Sequence, residues 1–185
     1  RPMNAGRANA VVSTLLENGV RDLVVSPGGR STALVIAAAE SVMRLHVAVD
    51  ERAGGFFALG LSRGGRRVAL LCTSGSAAGH YLPAVIEASE SQVGLVVLTA
   101  DRPSELMHVG APQSTVQDQL YGAHVRWSAR ADGPPEACAT LTALAVDRAF
   151  ADPRGPVHLN IPVRKPLWTP DEQAPPARRV SVLRG

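Results

Sequence analysis

The chain has 185 residues, 45% of them apolar, with 17 glycines and 14 prolines, the make-up of one turn-rich globular unit rather than a disordered chain or two full catalytic domains. Its 19 basic and 16 acidic residues leave a net charge of +3, and without a basic run that surplus argues against nucleic acid as the main partner. Cys72 and Cys138 show no metal-ligand or disulfide-framework spacing, and the longest apolar run, Val93 to Ala100, is far below the ~18 residues of a membrane span, so a soluble chain in a reducing, cytoplasmic setting is expected.

Ala8, Val11, Val12, Leu15 and Leu16 recur at helical spacing, and Gly19 follows where a left-handed residue ends a helix. Val20 to Val25 then reads as a short buried strand. The alternation continues with helix Thr32–Ser41, strand Leu45–Val49, helix Arg52–Arg63, strand Val68–Cys72, helix Ala77–Ser89 and strand Gly94–Thr99. A loop to about Gln119, a weak strand near Val125, a helix Glu136–Phe150 and a strand Pro156–Ile161 complete the pattern. Apolar strands alternating with three-turn helices predict an α/β fold: a doubly wound parallel sheet of about six strands with helices on both faces. Residues 1–168 form this domain. Prolines at 170, 175 and 176, Arg178-Arg179 and the apolar fragment Val180–Leu183 predict an interdomain linker over 169–185, cut before further domains.

In an open parallel sheet, ligands meet the carboxyl ends of the strands. Four such ends carry unusual residues. Ser26-Pro27-Gly28-Gly29-Arg30 is either a tight turn with a solvated arginine or a backbone cradle with Arg30 as a planar clamp for carboxylate or phosphate. At the second end, Asp50 reads as a helix cap and Glu51 as a first-turn carboxylate. Gly54, Gly55 and Gly60 in the same helix suggest close approach of another surface, which would bury Glu51 and raise its pKa. Thr73-Ser74-Gly75-Ser76 is either a serine cap or a loop against a flat ligand, and no G-x-S-x-G elbow makes Ser74 a hydrolase nucleophile. Asp101-Arg102-Pro103 leads toward Gln113-Ser114, with Arg102 directed at the crevice of Arg30, although surface exposure is the common fate of an arginine. Two converging arginines suggest a substrate with more than one carboxylate.

The order Ser26-Pro-Gly-x-Arg-Ser-Thr32, Asp50-Glu-Arg52, Thr73-Ser-Gly-x-Ala77, Leu82-Pro-Ala-Val-Ile-Glu-Ala88, Thr99-Ala-Asp-Arg-Pro103 and Gly155-Pro-Val-His-Leu-Asn-Ile-Pro162 resembles the N-terminal, pyrimidine-binding domain of thiamine-diphosphate enzymes. Within them it is most similar to the 2-succinyl-5-enolpyruvyl-6-hydroxy-3-cyclohexene-1-carboxylate synthase family of menaquinone biosynthesis, over about Ala5 to Trp168. The resemblance implies that Glu51 hydrogen-bonds the aminopyrimidine ring of thiamine diphosphate and drives removal of the thiazolium C2 proton. It places Thr73, Ser74 and Gly75 beside the cofactor, Arg30 and Arg102 in the substrate pocket, and Gln113 in the same site.

It further implies decarboxylation of 2-oxoglutarate and addition of the four-carbon unit to isochorismate, both dicarboxylates. Mg²⁺ and the diphosphate would be held by a domain that this sequence lacks, with no metal site here, and the working unit would be a homodimer or homotetramer. Gly29, Pro112 and His80 stand where the family usually has serine, asparagine and asparagine. Two other readings are an acetolactate-synthase-like carboligase or 2-oxoacid decarboxylase, which would share the glutamate, and a non-catalytic binding module that retains the fold alone.

Overall fold

In the computed structural model, residues 3–167 and the backbone of 181–183 are described. Helix α1, Met3–Glu17, buries Ala8, Val11, Val12 and Leu15. It ends as its sequence predicts: Gly19 takes φ +82°, its N–H donates to the Leu16 carbonyl, and the Val20 N–H reaches back to Leu15 at 2.9 Å. The chain then builds β1 (Asp22–Val25), α2 (Thr32–Glu40), β2 (Arg44–Ala48), α3 (Glu51–Arg63) and β3 (Val68–Cys72). There follow α4 (Ser76–Gly79), α5 (Leu82–Glu90), β4 (Leu95–Asp101), β5 (Ser128–Arg130), α6 (Pro135–Phe150), β6 (Pro156–Pro162) and β7 (Ser181–Leu183).

All pairings are parallel, in the order β5-β6-β4-β3-β1-β2-β7. Strand residues alternate between two cores, which is why the strands read as continuous apolar runs. Leu23, Leu71, Leu98 and Leu159 join Val11, Leu15, Ala145 and Val146 on one face. Val24, Leu70 and Val97 join Ala58, Tyr81 and Val85 on the other. The strand order reverses between β1 and β3, so the loops after these two strands diverge to opposite faces and open a crevice at their carboxyl ends.

Three expectations change. The single helix predicted over Ala77–Ser89 is two, because Pro83 lacks the N–H that would continue the first and would crowd the Gly79 carbonyl four residues back. The strand predicted near Val125 is a 3₁₀ turn at Gly122–His124, and pairing with β6 begins only at Ser128, as β5. Within the segment predicted as linker, the apolar fragment contributes β7, which pairs with the edge of β2, while 168–180 lie outside the described residues.

Buried polar groups sit at both ends of the sheet. Asp22, at the start of β1, receives both prongs of Arg44 at 2.9 and 2.6 Å, lies 2.9 Å from His46 Nε2, and accepts from Arg66 at 3.2 Å. Burial alone would raise its pKa, but these partners outweigh it and hold the carboxyl at about 2. His158 on β6 is fully buried, and burial pushes its ring down to about 4. Thr99 donates to Asn160 Oδ1 at 2.8 Å, so the 2.7 Å contact to the same hydroxyl requires His158 to donate from Nε2.

Both groups have folded-state pKa values below their ordinary ones, so their stabilisation is present at neutral pH and lost on acidification. For His158 the loss spans pH 6.5 to about 4 and is of order 3 kcal/mol; for Asp22 it spans about 3.8 to 2. Denaturant unfolding across this range should show the first decline in the native chain and a flatter profile for His158→Gln. An unchanged slope in the variant would remove His158 from the account.

Candidate active site

The β1 turn and the β3 loop meet tightly. A Cβ on Gly28 would lie 2.5 Å from that of Thr73, so only glycine lets the two strand ends approach this closely. Arg30, in the 3₁₀ turn Gly29–Ser31, donates its backbone N–H to Thr73 Oγ1 at 3.3 Å and its guanidinium to the Val163 carbonyl at 2.6 Å. It is 6% exposed, yet its Nε has no hydrogen-bond partner. Burial, and next the positive charge of Arg102, lower its pKa, while Asp101 acts in the opposite sense.

Arg102 follows β4 and is also buried. It donates to Ser74 Oγ and, at 2.7 Å, to the Pro112 carbonyl. Gln113 closes the same corner: its side-chain amide donates to the Ser74 carbonyl at 3.0 Å, and its own backbone sits at φ +56°. Gly75 takes φ +86°, and a Cβ there would lie 2.9 Å from the Gln113 side chain, so this loop needs glycine for both conformation and space. Arg30, Thr73, Ser74, Gly75, Arg102 and Gln113 are thus brought together as one connected group.

Glu51 opens α3 at the same end of the sheet, beyond β1 on the β2 side. Asp50 caps this helix as predicted, accepting from the N–H groups of Arg52 and Ala53 at 2.8 and 3.2 Å. The Glu51 carboxylate has no hydrogen-bond partner among the described residues. It faces the β3 end closely enough that its charge, after burial, contributes to pushing the Cys72 thiol up. The apolar burial expected for Glu51 is not reached within this chain, where it is half-buried. Two of the three helix glycines do meet a close surface: a Cβ on Gly54 would lie 3.1 Å from Ala48, and one on Gly55 3.0 Å from Ala84. Gly60 faces open space, and Phe56 is 48% exposed.

A residue that the sequence did not single out holds this loop in place. Gln117, fully buried, accepts from the Gly75 N–H at 2.7 Å and donates to the Ala100 carbonyl and Asn160 Oδ1 at 3.2 and 3.1 Å. Asn160 in turn donates to Asp101 at 2.8 Å and Asp118 at 2.7 Å, and Arg130 bridges the same two carboxylates. The network ties the Gly75 loop to the base of Arg102. Gln117→Leu should cost about 1–3 kcal/mol in unfolding free energy, the penalty for stranding buried polar groups. Denaturant titration of the two proteins measures it, and a difference below about 0.5 kcal/mol would show the network to be dispensable.

Residues 6–121 match the family of the thiamine pyrophosphate enzyme, N-terminal TPP binding domain. The chain belongs to this family. Its 2-succinyl-5-enolpyruvyl-6-hydroxy-3-cyclohexene-1-carboxylate synthase relatives include that of Listeria innocua, 49% identical over 166 residues covering 85% of this chain and 29% of the relative. That of Geobacillus kaustophilus is 49% identical over 185 residues (96% of this chain, 32% of the relative), and that of Bacillus velezensis 50% over 182 residues (91% and 31%). The thiamine pyrophosphate enzyme domain described here therefore spans about 30% of the length of these relatives.

The residues at this end of the sheet are compatible with that cofactor. The Glu51 carboxylate, without a hydrogen-bond partner among the described residues, opens α3 at the same end of the sheet as a loop of small residues whose backbone needs glycine at position 75. Among the described residues, no group of three His, Cys, Asp or Glu could hold a metal ion. The three positions that depart from the family pattern have separate surroundings. The nearest neighbour to a Cβ on Gly29 would be Leu167 at 3.9 Å, which leaves room for a side chain. Pro112 contributes a carbonyl to Arg102, and His80 lies exposed at the end of α4.

Proposed function

We propose that this domain is the pyrimidine-binding part of a thiamine-diphosphate-dependent 2-succinyl-5-enolpyruvyl-6-hydroxy-3-cyclohexene-1-carboxylate synthase, which decarboxylates 2-oxoglutarate and adds the remaining four-carbon unit to isochorismate. The observation that carries the substrate reading is the nearness of two buried arginines at one strand-end corner: Arg102 bonds the small polar loop through its guanidinium and Arg30 through its backbone N–H, the Arg102 charge lowers the Arg30 pKa, and the Arg30 Nε has no partner among the described residues. Burying two like charges side by side is costly, and an anionic ligand with two carboxylates offsets that cost in a way that a monocarboxylate cannot.

When bound, thiamine diphosphate supplies an acidic C2–H and an electron sink for decarboxylation. Glu51 would hold and exchange a proton at the aminopyrimidine ring of the bound cofactor. Thr73, Ser74 and Gly75 flank the ring. Arg30 and Arg102 orient the substrate carboxylates, Gln113 adds an amide at the same corner, and Gln117 positions the loop. We place Mg²⁺ and the diphosphate on parts of the relatives that this chain does not span. The site is completed in a homodimer or homotetramer within the cytoplasm, and no described helix is long and apolar enough to cross a membrane.

The deciding experiment is carboligation by the full-length protein, supplied with thiamine diphosphate and Mg²⁺, with 2-oxoglutarate and isochorismate set beside pyruvate. Product formation only with the dicarboxylate pair supports the proposal. Equal use of pyruvate would move the protein to the acetolactate-synthase-like carboligases, a reading favoured by the absence of polar side chains at Gly29 and Pro112.

A further inference from the structure

At the opposite end of the sheet, where β1, β3 and β4 begin, a cavity of about 490 Å³ is lined by Arg63, Arg66, Arg67, Arg154, Ser62 and Phe150, among others. Six residue steps along β4 at ~3.3 Å each put it about 20 Å from the crevice of Arg30 and Arg102. None of its lining residues is acidic. Arg63 is paired at the rim with half-exposed Glu87, at 2.6 Å. Arg66 reaches Asp22 at 3.2 Å, but that carboxylate already serves Arg44 and His46.

The other two arginines have no carboxylate at all among the described residues. Arg67 donates to the Asn18 carbonyl at 2.9 Å and lies over the Phe150 ring, 5.0 Å from its centroid. The Arg154 guanidinium has no partner there. The carboxyl end of α3 favours a cation in its last turn, which accounts for Arg63 alone. It does not account for four guanidiniums around one concavity with two carboxylates between them.

We infer that this cavity binds a small multivalent anion, bearing two or more carboxylate or phosphate groups, at a site separate from the catalytic crevice. Its volume falls in the range of ligand clefts, and the planar donors of arginine match carboxylate and phosphate oxygens in pairs. The site stands whether or not the proposed carboligation is right.

Isothermal calorimetry on the full-length protein, with citrate and inorganic phosphate as probes at constant ionic strength, tests it. One anion per chain should bind, and Arg154→Gln should weaken binding ~10-fold or more. Because Arg154 has no side-chain partner among the described residues, its replacement leaves folding alone; Arg67→Gln supplies a second measurement. Arg30→Ala should leave the same binding intact, which separates this site from the crevice. Preference for citrate identifies a polycarboxylate ligand, and preference for phosphate a phosphorylated one. Equal affinity in the Arg154 and Arg67 variants, or no binding of either anion, overturns the inference. Binding abolished by Arg30→Ala instead would assign the anion to the crevice and likewise overturn it.

Discussion

Replacing Glu51 by glutamine in the full-length protein lowers turnover by ~10²-fold or more and leaves the fold intact. The substitution keeps the shape of the side chain and its capacity to hydrogen-bond, and removes only its capacity to give and take a proton. Nothing in the helix depends on that proton: Asp50 supplies the cap, and the Glu51 carboxylate has no hydrogen-bonded partner among the described residues. Unfolding midpoints of the two proteins should therefore agree. The decisive readout is exchange of the C2 proton of bound thiamine diphosphate, followed by NMR. Exchange at the native rate in Glu51→Gln would remove this residue from the acid–base role, whatever happened to turnover.

Alanine at Arg30 or Arg102 should cost ~1.5–3 kcal/mol in kcat/KM, roughly 10- to 150-fold, for 2-oxoglutarate or isochorismate. Arg30 gives the cleaner test. Its Nε is a buried donor with no partner, so a substrate carboxylate that meets it gains a charge-assisted bond and relieves a group stranded in the free protein. Lysine at either position should restore only part of the loss, because a point charge cannot reproduce a planar two-pronged contact. Indifference of both substrates to both substitutions would end the dicarboxylate reading while leaving the Glu51 prediction standing.

The elements that carry strong local signals were legible in the sequence. Gly19 ends α1 with both backbone bonds of a left-handed cap, Asp50 caps α3, and the continuous apolar strands announce a sheet covered on both sides. Pro83 also announces the break in the fourth helix, but reading it requires weighing one missing N–H against an otherwise regular period. The 3₁₀ turn at Gly122–His124 was hidden because the register of β5 is set by pairing with β6, thirty residues further on.

In the site, arginines and glycines at strand ends stood out because their chemistry is conspicuous. Gln117 did not, since its role comes from reaching Gly75, Ala100 and Asn160 at once, and no local pattern encodes three partners in three loops. The half-exposure of Glu51 is similarly out of reach: sequence spacing places the carboxylate at a strand end and says nothing of what covers it.

The contact between Gly28 and Thr73 has an evolutionary corollary. The clash at position 28 is with the Cβ of Thr73 and not only its branches, so trimming threonine to serine or alanine leaves it in place. A side chain at 28 becomes admissible only if 73 turns to glycine, and that exchange forfeits the hydroxyl receiving the Arg30 backbone N–H. Position 28 is therefore held to glycine for as long as 73 carries a side chain, and the joint step that sterics would permit loosens the turn on which Arg30 rides. Room for substitution in this part of the crevice lies instead at neighbours such as position 29, where the packing is open.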